Sequence, residues 1–148
     1  MLLATRDTMH KLNGALVYGA AAAGTYNWVT YALNPERSYG YPVLLQIAFV
    51  GSLVLGIGCI LSAFASRYGV IVGSLGTAIS WAYFAPFAWS LPWRHFGWLF
   101  SFDLPWVVRN NFVDVYKLVA ILLLVAATAY SVSKRRVWKP LPSVSPTP

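Results

Sequence analysis

The chain has 148 residues, 58% of them hydrophobic and 10% charged, with a formal net charge of +7. Soluble domains carry about a quarter charged residues, which argues against a monomer in water, and in a bilayer the backbone can close its hydrogen bonds only as helices or as a closed barrel. Barrel strands alternate apolar and polar residues, whereas the apolar runs here are continuous and of helical length, so the expected fold is an all-α, polytopic integral membrane protein built as a four-helix transmembrane bundle.

Residues 1–13 are polar and basic, with Arg6, Asp7, His10 and Lys11. The apolar run that follows, 14–33, is too long for the core of a signal peptide, and Asn34-Pro35 is a poor cleavage site. It reads as a retained first span with a short lead. Further spans are expected at about 43–66, 70–91 and 113–133, each near the ~20 residues that cross the hydrocarbon layer. Asn34 to Pro42 is a turn by its proline and glycine, and Arg67-Tyr68-Gly69 is a second, very short connection. Residues 1–133 then form the transmembrane domain, and 134–148 a basic, Pro/Ser-rich tail expected to be disordered.

An even number of spans puts both ends on one side. Arg6, Lys11, Arg67, Lys134, Arg135, Arg136 and Lys139 fall on that side, and Arg37, Arg94, Arg109 and Lys117 on the other. The positive-inside rule makes the richer side cytoplasmic, which predicts a multi-pass protein of the cell (inner) membrane with both termini inside. Because topology accounts for the basic residues, nucleic acid is not an expected partner. Tyr26, Trp28, Tyr31, Trp81, Tyr83 and Trp89 are expected as an aromatic belt at the outer interface.

Helices associate in lipid through small residues. The second run carries such a stripe at Ser52, Gly56, Cys59, Ala63 and Ser66, and the third at Gly69, Gly73, Thr77 and Ser80, so spans one to three are expected to pack tightly. The fourth, bulky and aliphatic from Leu118 to Val125, should face lipid or another subunit. Pro86 removes one backbone bond from the third span and should kink it.

The connection from Leu91 to Lys117 stands apart by its length, its aromatic content and its charges. If 93–102 forms a short interfacial helix, Arg94, Gly97 and Ser101 share its polar face while Phe96, Leu99 and Phe100 dip into the membrane. The plainer role is an anchor. The sharper one is a shallow outer-leaflet pocket for a quinone or lipid headgroup, built from Arg94, His95, Trp98, Asp103, Trp106 and Arg109. Asn111, Asp114 and Lys117 are explained by capping and charge at the start of the fourth helix.

No ionisable residue falls mid-span, which counts against a pump or an ion-coupled transporter. His10 and His95 are predicted on opposite sides and cannot share a haem or metal within one chain. Cys59 is the only cysteine, so no internal disulfide or cysteine-based metal site is available. Phosphate loops, nucleophile elbows and paired carboxylates are absent from the sequence. No cofactor is indicated and catalysis is not expected. The preferred expectation is an accessory or structural subunit of a larger membrane complex, of a respiratory or other energy-transducing kind. The alternative is a small protein that binds or moves a quinone or lipid at the outer leaflet.

Overall fold

A computed structural model describes residues 2–33, 42–99 and 112–134. Four helices account for them: α1 (Leu2–Ala32), α2 (Pro42–Phe64), α3 (Ser66–Leu99) and α4 (Phe112–Ser133). Three of the helices contain stretches long and apolar enough to cross a membrane, at Val43–Phe64, Arg67–Pro86 and Tyr116–Ser133; α1, where the sequence places the first span at 14–33, contains no such stretch. There is no strand among the described residues.

Helix α1 touches each of the other helices, as α3 does, and the most extensive contact is between α2 and α3. Gly14, Tyr18, Ala21, Thr25, Trp28, Val29 and Ala32 are buried along it. Their spacing of three and four residues keeps them on one side of the helix. The polar lead is not a separate segment, because α1 already begins at Leu2. Its early turns are tied to the end of α4, where the Tyr130 hydroxyl donates to the His10 carbonyl at 3.1 Å and Lys134 Nζ lies 3.1 Å from His10 Nδ1. The first turns of α1 and the last turn of α4 therefore share one end of the bundle.

Helices α2 and α3 form an antiparallel hairpin whose reversal needs only Ala65. The amide of Ala65 closes on Leu61 O at 2.7 Å, and that of Gly69 on Ala65 O at 3.1 Å, so helical bonding resumes at once. Arg67, Tyr68 and Gly69, expected as a connection, belong to the first turn of α3. That tight return is possible because Gly69 sits directly on Ser62: a Cβ there would lie 2.4 Å from the Ser62 Cα.

The same closeness continues up the hairpin. A Cβ on Gly58 would stand 2.6 Å from the Gly73 Cα, one on Gly76 2.6 Å from the Leu55 nitrogen, and one on Gly51 2.9 Å from the Ser80 nitrogen. The seam thus pairs 62 with 69, 58 with 73, 55 with 76 and 51 with 80, a constant antiparallel register. Without side chains between them the two backbones approach closely, and dispersion and Cα–H···O contacts take the place of a side-chain layer.

Helix α3 runs to Leu99 through Pro86 and Pro92, where the sequence places the end of a span at Leu91. Each proline deletes one backbone donor, and the helix continues past both. Residues 93–99 are therefore a continuation of α3 and do not start a short helix of their own.

Candidate functional site

Helix α4 is attached differently from α2. Aromatic side chains with polar tips reach across to hydroxyls on neighbouring helices. Trp81 Nε1 on α3 donates to Thr128 Oγ1 on α4 at 2.9 Å, and Thr128 passes its proton to the Leu124 carbonyl at 2.8 Å. Tyr18 on α1 fills the hollow over Gly73, where a Cβ would strike its ring. Its hydroxyl lies 2.8 Å from Ser131 Oγ, 3.4 Å from Val70 O and 3.5 Å from Ser74 Oγ. Ser131 donates to Ala127 O at 2.8 Å and Ser74 to Val70 O at 2.6 Å, so the Tyr18 proton can go to Ser131 Oγ or to Val70 O. The Tyr18 ring also meets Tyr130 edge-on, with centroids 5.6 Å apart.

One consequence can be measured. Tyr18→Phe should lower stability by about 1 kcal/mol, the net worth of one such bond, and Ser131→Ala by a similar amount. The double variant should lose little more than either alone, because both remove the same bond. Additive losses in chemical or thermal unfolding would show that the two groups act separately.

A second polar aromatic cluster lies toward the opposite end. Trp28 is fully buried, and its Nε1 donates to the Tyr83 hydroxyl at 3.1 Å. Tyr83 meets Phe84 edge-on at 4.9 Å. Tyr31 stacks on Tyr116 with centroids 5.4 Å apart, and the Lys117 ammonium lies over the Trp28 ring at 5.0 Å. Trp28 and Tyr83, expected at an outer belt, are instead interior struts. Tyr26 does remain half exposed, its ring 6.2 Å from Phe49.

Of the residues proposed from sequence to bind a ligand, Arg94, His95 and Trp98 fall on the C-terminal turns of α3. Their side chains, together with Asp103, Trp106 and Arg109, lie outside the described residues, as do the connection 34–41, the side chain of Asp114 and the tail from Arg135. The packing residues are dispersed. Gly69 and Gly73 lie in the seam with α2, and buried Thr77 donates to Gly73 O at 2.8 Å. Buried Ser52 donates to Phe49 O at 2.7 Å, Gly56 has no neighbour within 4 Å of a built Cβ, and Ala63 is exposed. Cys59, from the same expected stripe, faces Gly19 of α1 instead of α3.

A shallow depression of about 280 Å³ lies where Val43, Gln46, Ile47 and Val50 of α2 meet Ile79 of α3. Small-molecule pockets run from roughly 300 to 1,000 Å³ and enclose their ligand. This one is smaller and rimmed by exposed Val43 and Val50. Three buried hydroxyls, Thr25, Ser62 and Ser80, have no hydrogen-bond partner among the described residues. Ser62 and Ser80 occupy the space left by Gly69 and Gly51 in the seam, which marks them as packing groups. No group of three His, Cys, Asp or Glu side chains gathers among the described residues.

The chemistry on display is therefore cohesive: hydroxyls and indoles satisfy one another inside the bundle. The sequence pointed to small residues as the means of packing. It missed the aromatic struts, whose signal is a Trp or Tyr facing Ser or Thr on another helix, a relation visible only once the helices are assembled. Comparison with known protein families, curated proteins and solved structures finds no match to this chain.

Proposed function

We propose that this chain is a multi-pass membrane protein serving as a non-catalytic accessory subunit of a larger membrane complex, with both termini and the bundle's basic end in the cytoplasm. The bilayer reading is supported by the three apolar stretches. The orientation is supported by Lys11, Arg67 and Lys134 lying at one end of the bundle, read with the positive-inside rule.

The accessory role draws on one observation above all, the character of α4. Only 22% of its apolar stretch is buried, against 44% for that of α3. Val119, Leu122, Val125 and Val132 are about half exposed on it. Hydrogen bonds to α1 and α3 hold the helix in place, which leaves a broad aliphatic face available to a neighbouring subunit. Such a face needs no chemistry of its own to orient or brace a partner.

A photoreactive amino acid placed at Leu122 in the full chain, in its native membrane, tests this. Irradiation should yield one discrete heavier adduct containing a second, different polypeptide, and the same residue at Leu53 on α2 should give much less. Adducts with lipid only, or with another copy of this chain, would count against the accessory role.

A further inference from the structure

The outer side of α1 carries a second regular pattern. Asn13, Leu16, Ala20, Ala23, Asn27 and Thr30 are all exposed, and their spacing is three, four, three, four, three. They lie opposite the buried row that runs from Gly14 to Ala32. A seam at this repeat is the one along which two helices wrap with a left-handed crossing of about 20°. The alanines at its middle permit close approach.

Asn27 makes this face more than a small-residue stripe. The Thr30 hydroxyl bonds its own helix, at Tyr26 O (3.1 Å) and Asn27 O (3.0 Å). The Asn27 carboxamide has no such partner among the described residues. Its depth can be read from Tyr26, whose ring packs on Phe49. Phe49 is six residues inside the outer end of the Val43–Phe64 stretch, about 9 Å at ~1.5 Å per residue. On the bilayer reading, a carboxamide exposed at that depth on α1, a helix outside the three apolar stretches, faces hydrocarbon, where an unmade hydrogen bond is costly.

We infer that two copies of this chain pair through the outer face of α1, with the two Asn27 carboxamides hydrogen-bonded to each other. Copies inserted in one membrane share an orientation, so a two-fold axis along the normal sets every residue of α1 opposite itself. A carboxamide both donates and accepts and is complementary to its own image, whereas a charged group would repel it. No charged residue lies between Asn13 and Thr30 to oppose the contact. Lipid tails offer no hydrogen-bond partner at this depth, and a different protein would need a matching polar group at the same level. The inference rests on the bilayer reading above and is independent of any partner on α4.

The test uses the full chain with Cys59→Ser and one new cysteine at a time, in native membranes, oxidised with copper phenanthroline. Ala20→Cys and Ala23→Cys should give a disulfide-linked dimer, while Leu53→Cys and Leu122→Cys should give little. Adding Asn27→Leu to the Ala20→Cys chain should cut the dimer about tenfold, the effect expected of 1–2 kcal/mol, and Asn27→Gln should restore part of it. Alkaline extraction of the same membranes separates the two ways of failing. If the chain stays in the pellet yet Ala20→Cys and Ala23→Cys form no dimer, or link to a different polypeptide, pairing is overturned and the bilayer reading stands. If the chain is released, both fall. Full dimer from the Asn27→Leu chain would overturn the role of the carboxamide.

Discussion

Gly58→Ala should destabilise the bundle, and Gly56→Ala, two residues away on the same helix, should not. At position 58 the added methyl meets backbone: the Gly73 Cα and nitrogen would each be 2.6 Å away. Neither can swing aside as a side-chain tip would, so α2 and α3 must separate. Overpacking of this kind costs about 1–3 kcal/mol, or about 2–4 °C in melting temperature per kcal/mol for a chain of this size. At position 56 nothing lies within 4 Å. The methyl enters open space, and alanine's better helix propensity should stabilise by up to about 1 kcal/mol. The two substitutions thus differ in sign. Gly58→Leu should go further and prevent the hairpin from closing, so that little folded protein is recovered. Thermal unfolding of the purified chain in a mild detergent measures all three. A Gly58→Ala chain as stable as the parent would mean that the seam is not where these contacts put it.

That comparison also shows where sequence reading stops. On α3, Gly69 and Ser80 stand against Ser62 and Gly51 of α2, whereas Gly73 meets Gly58 through its backbone and turns its missing side chain toward the Tyr18 ring of α1. On α2 the sequence reads as one small-residue stripe, Ser52, Gly56, Cys59, Ala63 and Ser66. A second row, Gly51, Gly58 and Ser62, has Leu55 in its midst and stands outside that stripe. The bundle uses the second, since Leu55 fits opposite Gly76, whose missing side chain leaves room for it. A large residue facing a glycine on another helix is a pairwise fit, and no pattern within one helix reveals it. The first stripe is not idle, because Cys59 in it meets Gly19 of α1. The sparse burial of α4, by contrast, was readable, because the run Leu118 to Val125 has a single small residue, the buried Ala120, and no polar one.

Trp28→Ala should be among the most damaging substitutions in the chain. Trp28 is the largest fully buried side chain among the described residues, at 0% exposure, and it sits where α1 meets α3 and α4. Truncating a buried tryptophan costs about 3–5 kcal/mol through lost contacts and the cavity left behind. Two further losses follow here. The Tyr83 hydroxyl loses its 3.1 Å donor, and the Lys117 ammonium loses the ring 5.0 Å beneath it, a contact worth about 0.5–2 kcal/mol according to its desolvation. Trp28→Phe separates these contributions. It keeps an aromatic face for Lys117 and most of the volume but removes the indole N–H, so its loss should be nearer 1–2 kcal/mol. Tyr83→Phe should remove the same hydrogen bond from the other side. Combining it with Trp28→Phe should then recover about 1 kcal/mol relative to the sum, because both variants remove the same bond and the double variant no longer strands the indole N–H that Tyr83→Phe alone leaves unpaired. Unfolding measured in detergent across this cycle decides the point. If the two losses simply add, the indole and the phenol are packing groups that happen to lie close. A positive coupling means that the Trp28–Tyr83 bond itself helps hold α1 against α3.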